Sequence, residues 1–239
     1  MTSLGPSGPS SPRPPVVVVV TGGPPLQPVP DPPVLTAGPG ELPDGAYVIA
    51  ADSGLDQARA LGWPVDLVVG DLDSASAAAL EAARAEGTPV DAHPEAKDQT
   101  DLELALDRAL ALGPDRIVVV GSGGGRLDHL LAGALALAAD RYASVAVEAW
   151  LDGTRVTVVR GQATLRGEPG SLVSLVPVGG PACGITLAGL RYPLDDEDLA
   201  AGVSRGVSNE MVGTEARVAL RSGVLLAVQP PLVDGPAGA

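Results

Sequence analysis

The stretch Ile117-Val118-Val119-Val120-Gly121-Ser122-Gly123-Gly124-Gly125-Arg126-Leu127-Asp128-His129 decides how this chain is read. Four β-branched residues in a row suit a strand buried on both faces. A glycine turn follows, and a helical stretch covers residues 127–139. The same grammar recurs upstream. Residues 16–20 stop at Thr21-Gly22-Gly23-Pro24, residues 47–51 end on Asp52-Ser53-Gly54, and residues 67–69 end on Gly70-Asp71-Leu72-Asp73-Ser74. Helical stretches run through Leu55, Ala58 and Leu61, and again over residues 77–85. The plainest helix starts at Thr100, which forms a capping box with Glu103, while Leu102, Ala105, Leu106, Ala109 and Leu110 recur on one face. Strand, turn and helix in repeated succession predict an α/β fold with a mostly parallel open sheet flanked by helices.

The pattern changes near Trp150 to Gly153. Beyond it, residues 156–159, 171–176, 185–187, 217–220 and 224–228 read as strands between Gly and Pro turns, with one helical turn at 195–201. The expected organisation is an α/β domain over residues 16–150 and an all-β sandwich or small barrel over 151–229. Pro/Gly/Ser-rich tails at 1–15 and 230–239 carry too few core-forming residues to order themselves.

Composition narrows the function. The 239 residues carry 29 acidic against 15 basic side chains, a formal charge of −14, which repels a phosphate backbone and excludes nucleic acid as a partner. One cysteine, Cys183, and two histidines exclude a disulfide framework and a thiolate zinc site. No apolar run near the start is long enough to span a bilayer, and no signal peptide is visible, so a cytoplasmic location is expected. With no Phe and an aromatic content of 2%, the core must be filled by Ala, Val and Leu.

Three acidic clusters fall just past strand ends, where open α/β sheets bind ligands. Asp52 follows one strand and Asp71 and Asp73 another, while Asp98 and Asp101 bracket the start of the capped helix. If the chain stays extended through Leu72, a period of two puts Asp71 and Asp73 on one side. Magnesium prefers a few carboxylates plus substrate phosphates, and Asp71, Asp73 and Asp101 are the candidate ligands. Each aspartate alone is equally at home in a turn or a helix cap. The turn Gly123-Gly124-Gly125 before a helix suits close approach to a phosphate, with Arg126 able to pair with its oxygens. It is not a Walker loop, because no Lys-Ser/Thr follows. Nor is it a dinucleotide fingerprint, since Arg126 stands where the third glycine belongs. Asp128 and His129 fit a site or a structural pair equally well. Lys97, beside Asp98, is a solvated lysine or a nucleotide contact.

These elements in this order resemble the thiamine pyrophosphokinase family: Asp52-Ser53-Gly54, Gly70-Asp71-Leu72-Asp73-Ser74, Lys97-Asp98-Gln99-Thr100-Asp101-Leu102-Glu103, the Gly121–His129 run, and Ser208-Asn209-Glu210. The resemblance spans residues 16–228. It implies an α/β catalytic domain, a β-sandwich that binds thiamine, and a homodimer with sites between subunits. It further implies ATP as diphosphate donor, Mg2+ as cofactor, and AMP as second product. By motif, Asp71, Asp73 and Asp101 correspond to metal ligands, Asp52, Gln99 and Thr100 to lining for substrate or nucleotide, and Arg126 and Asp128 to further site residues, with Arg126 counted beside the three aspartates as catalytic. Ser208 and Asn209 correspond to the thiamine pocket. Relatives often carry an aromatic beside the last motif; here Met211 stands there and is the candidate to cover the ring. The rival readings are a pyrophosphokinase for another small alcohol such as a pterin, and a non-catalytic sensor of thiamine diphosphate or nucleotide.

Overall fold

A computed structural model describes residues 13–23, 42–122 and 126–231. The glycines 123–125 and most of both Pro/Gly/Ser-rich tails lie outside these residues.

The N-terminal half alternates as the sequence predicts. Its strands are β1 (Val16–Thr21), β2 (Tyr47–Ala51), β3 (Leu67–Gly70), β4 (Val90–Ala92), β5 (Arg116–Gly121) and β6 (Ala146–Leu151). Its helices are α1 (Gly54–Ala60), α2 (Ala77–Glu86), α3 (Asp101–Ala111) and α4 (Leu127–Leu137). All six strands are parallel, in the order β4-β3-β2-β1-β5-β6. The five-valine run of β1 is central and buried on both faces, which is why it shows no alternation. Val17 and Val19 join Ile49, Val69, Ile117 and Val119 beneath Ala105, Leu106 and Ala109 of α3. Val18 and Val20 face the other way, against Ala58 and Trp63.

The C-terminal half comprises β7 (Thr154–Val159), β8 (Gln162–Arg166), β9 (Leu172–Pro177), β10 (Ala182–Ala188), β11 (Glu197–Leu199), β12 (Asn209–Glu210), β13 (Glu215–Ala219) and β14 (Leu225–Gln229). Two sheets pack face to face around Leu165, Val173, Leu175, Ile185, Met211, Val218 and Leu225. This is the antiparallel sandwich expected from the strand-and-turn pattern. One sheet is the order β11-β10-β13-β8; the other, β12-β9-β14-β7, continues directly from β6. The change of character near Gly153 is therefore a hairpin and not a gap. Leu151 pairs with Thr154 across Asp152 and Gly153, whose φ values of 48° and 79° suit a two-residue turn matched to strand twist. A ten-stranded sheet thus spans both halves. The helical turn expected at 195–201 is instead the edge strand β11, which pairs antiparallel with β10. Its short Glu197-Asp198-Leu199 sequence carries the period-two pattern with only Leu199 buried.

Gly54, where α1 begins, sets how closely α1 approaches β1. A Cβ there would meet the Val20 carbonyl oxygen at 2.0 Å, a backbone atom that cannot turn aside. Gly161, by contrast, has open space around it. Gly54→Ala should cost about 1–3 kcal/mol through overpacking, read as a lowered midpoint in urea, while Gly161→Ala should leave the midpoint within error of wild type.

Candidate active site

The carboxyl ends of β1, β2, β3 and β5 open into a cleft of about 580 Å³. Asp52, Asp71, Asp73, Lys97, Gln99, Thr100, Asp101 and Arg126 all line it. Their elements come from four separate parts of the chain, and the sheet order brings them together. β1 lies between β2 and β5, so the connections leave it on opposite sides and a crevice opens there.

Three carboxylates converge, each with an oxygen within 4.8 Å of the others: Asp52, Asp71 and Asp101. Asp73 lines the same cleft but is not one of the three. The reason is local. β3 ends at Gly70, and Leu72 takes φ 67°, so the extended run that would place Asp71 and Asp73 on one side is broken between them. The Asp73 carboxylate instead accepts a hydrogen bond from Ser74 Oγ at 2.8 Å. Asp52 enters the cluster through its own left-handed residue (φ 49°), which aspartate tolerates better than most side chains, with its N–H donating to Val69 O. Gly70 makes the room. At φ 143°, a side chain there would press on Asp101 Oδ1 at 3.0 Å and on the Asp52 Cβ at 3.2 Å.

Charge in the cluster is arranged by Lys97. Its Nζ donates to Asp71 Oδ2 at 2.6 Å and stands 2.9 Å from Asp101 Oδ1. The hydrogen bond from Lys97 holds the Asp71 carboxyl below its ordinary pKa. Burial opposes the ammonium, yet the hydrogen bonds to Asp71 and Asp101 outweigh it, and the Lys97 pKa lies above its usual value. Asp52 is 8% exposed, and its Oδ1 is buried with no hydrogen-bond partner among the described residues. A buried carboxylate oxygen without a donor is costly unless a cation serves it. This donor set, all hard oxygens, with Asp101 Oδ1 served only by the nearby ammonium and Asp52 Oδ1 by no described group, fits magnesium.

α3 is positioned by the predicted capping box: Glu103 N donates to Thr100 Oγ1 and Thr100 N to Glu103 Oε2, each at 3.3 Å. Gln99, next to the cap, donates from Nε2 to Asp107 Oδ2 at 2.8 Å. Asp107 in turn accepts from the buried Tyr142 hydroxyl at 2.7 Å, a support that no sequence pattern signalled. Arg126, the N-cap residue of α4, reaches Asp128 with Nη2 at 2.5 Å. Asp128 thus pairs with a residue of the cleft wall and does not itself line the cleft.

Ser208 and Asn209 are elsewhere. Among the described residues, none beyond Leu151 lines the cleft. Asn209 is buried and holds the Tyr192 backbone from both sides: Tyr192 N donates to Asn209 Oδ1 at 3.0 Å, and Asn209 Nδ2 donates to Tyr192 O at 2.7 Å. Met211 is 1% exposed and packs inside the sandwich, so it does not cover a ring. The aromatic displayed beside Asn209 is Tyr192, 60% exposed and 17 residues away in sequence. Only tertiary pairing reveals it.

The fold and cleft define a two-part α/β protein: a parallel α/β layer with an acidic crevice, extended by an antiparallel sandwich. Residues 41–147 match the thiamin pyrophosphokinase catalytic domain, and residues 162–225 match the thiamin pyrophosphokinase vitamin B1 binding domain. Thiamine pyrophosphokinase of Bacillus subtilis is 27% identical over 162 residues, 67% of this chain and 76% of that protein. The crystal structure of the Bacillus subtilis enzyme superposes with a TM-score of 0.78 at 25% identity, covering 91% of this chain and 100% of the other. That of thiamin pyrophosphokinase from Geobacillus thermodenitrificans gives a TM-score of 0.73 at 26% identity, over 93% and 100%. The chain belongs to the thiamine pyrophosphokinase family. It is an enzyme of the family's reaction, the transfer of a diphosphoryl group from ATP to thiamine. Among the described residues, no helix is long and apolar enough to cross a membrane.

The Arg126 hydrogen bond keeps the Asp128 carboxyl at about 2, below its ordinary value of 3.8. A depressed carboxyl pKa means that the ionised pair is fully present above the ordinary range and is lost only as pH falls through about 2. In Arg126→Ala, carboxyl NMR should find Asp128 titrating near the ordinary aspartate value of about 3.9. An unchanged Asp128 titration would show that the pair does not form in solution.

Proposed function

We propose that the acidic crevice is the magnesium-ATP site and that thiamine reaches it from the sandwich of a second copy. The observation that carries this reading is the convergence of Asp52, Asp71 and Asp101 together with a buried Asp52 Oδ1 that has no hydrogen-bond partner among the described residues. These three residues would hold the ion, with Asp73 the further carboxylate on the cleft wall. When bound, magnesium supplies charge neutralisation at the transferred phosphates. The chain's own groups do the rest. Arg126 at the α4 start pairs with phosphate oxygens, Thr100 and Gln99 line the nucleotide, and the thiamine hydroxyl attacks the β-phosphorus while AMP leaves. The glycine turn 123–125 is assigned to the phosphates by its sequence alone.

Residues 16–150 are the catalytic portion and residues 151–229 the acceptor portion of this assignment. A homodimer supplies what the single chain lacks, since Asn209 and Tyr192 are not on the cleft that holds the carboxylates. The leucines Leu127, Leu131 and Leu135 are 67%, 55% and 57% exposed on one stripe of α4, an apolar surface of the kind that subunit contact covers. Tyr192 presents an aromatic face suited to the cationic ring of thiamine. A cytoplasmic location accords with the ATP requirement.

AMP release from ATP, magnesium and thiamine tests the reading directly. Several kcal/mol of charge stabilisation depend on the cluster, at about 1.4 kcal/mol per tenfold in rate, so Asp71→Asn should lower kcat by on the order of a hundredfold or more. Near-normal turnover at limiting magnesium would remove the metal assignment.

Tyr192→Ala should raise the thiamine KM by about fivefold to thirtyfold, the equivalent of about 1–2 kcal/mol, with the ATP KM little changed. A co-refolded mixture of Asp71→Asn and Tyr192→Ala chains should recover turnover at low thiamine that neither has alone. Failure of the mixture to exceed either parent would place both halves of the site in one chain.

A further inference from the structure

Lys97 sits where a cation would sit. Its ammonium is 2.6 Å from Asp71 Oδ2 and 2.9 Å from Asp101 Oδ1, and its side chain is only 13% exposed. Asp101 Oδ1 is buried and accepts no well-aligned hydrogen bond from any described residue, so its contact with the ammonium is an ion pair made by proximity. The third carboxylate, Asp52, is left with an unpartnered buried oxygen. One positive charge thus serves two of three converging carboxylates, and the cluster keeps a net charge of about −2.

We propose that Lys97 is an internal counter-ion that competes with the divalent cation for Asp71 and Asp101, and is released to the nucleotide's phosphate oxygens when the cation arrives. This rests on the magnesium reading of the cleft. Two features support release over permanent bridging. A compact ammonium within hydrogen-bond reach of both oxygens occupies the directions from which a small octahedral ion must approach them. Lys97 also stands in the irregular segment between β4 and α3, on a flexible four-carbon stem, so it can swing without disturbing an element. The cleft that it lines also holds Arg126, so a displaced ammonium meets the phosphates from the carboxylate side.

The consequence is an ordered dependence. Without nucleotide, the lysine weakens cation binding and stabilises the empty cluster against its own repulsion. With nucleotide, the lysine has an anionic partner to move to, and the penalty disappears. Metal and nucleotide then bind cooperatively, through a single side chain shared between them.

The probe is Mn2+, followed by electron paramagnetic resonance, on the full chain as wild type, Lys97→Met and Lys97→Arg. Without nucleotide, Lys97→Met should bind Mn2+ about tenfold more tightly than wild type, the equivalent of about 1.4 kcal/mol, while Lys97→Arg stays close to wild type. In chelator, Lys97→Met should melt at a lower temperature than wild type and gain more from added Mn2+. With a non-hydrolysable ATP analogue present, the Mn2+ advantage of Lys97→Met should vanish or reverse. Equal Mn2+ affinity in all three proteins without nucleotide overturns the counter-ion proposal and leaves the metal site standing. Absence of Mn2+ binding in all three, with or without the analogue, overturns the metal reading itself. The melting series distinguishes a Lys97→Met chain that fails to fold, in which case Lys97→Gln replaces it under the same criteria.

Discussion

Three carboxylates held within 4.8 Å of one another repel, and the rest of the site is organised around containing that repulsion. The backbone sets the distance: Asp52 and Asp71 follow adjacent parallel strands, and Asp101 begins the helix packed across them. Gly70 keeps the space between them free of a side chain. Lys97 supplies the compensating charge from a loop. The compensation is incomplete, with Asp52 Oδ1 left unserved, and this is what suits the cluster to the divalent cation proposed for it. A fully neutralised cluster would be more stable empty and less useful for phosphate chemistry.

The scaffold that bears this strain is unusual in having almost no aromatic side chains. Its α/β layer relies on β-branched runs buried on both faces and on alanine-rich helices, which pack close to the sheet because little bulk stands between them. Gly54 carries this to the limit, bringing α1 against the Val20 carbonyl. Close packing of small residues makes a rigid frame, and a rigid frame can hold like charges together at a distance that flexible loops would relax.

The continuous ten-stranded sheet has a further consequence. Because β7 pairs with β6 through a two-residue turn, the sandwich is joined to the catalytic layer by hydrogen-bonded backbone and not by a linker. Its acceptor features cannot swing onto the chain's own cleft by hinge motion without breaking that ladder. The rigid joint is the physical basis of the proposed two-copy arrangement, because it keeps Asn209 and Tyr192 away from the cleft of their own chain.

Much of this was legible in the residues. Buried strands announce themselves as apolar runs, the α3 cap as Thr100 with Glu103, and the acidic cleft as aspartates after successive strand ends, because these follow from local backbone geometry and strand order. Local reasoning erred where one residue's φ decides direction. Leu72 breaks the extended run, so Asp73 stays beside Asp71, its N–H on Asp71 Oδ1, but outside the group of three, and no composition rule foretells a leucine at φ 67°. It also fell short where partners are distant in sequence: Asp52 reads as part of the site but not as a member of the converging three, Asp107 and Tyr142 behind Gln99 give no signal, and Tyr192 is exposed beside Asn209 while Met211 is buried. The sequence by itself determined the elements, their order and the kind of chemistry, since those depend on neighbours along the chain. Tertiary structure alone decided which carboxylates meet and which aromatic is displayed, because those depend on contacts that only the packed sheets create.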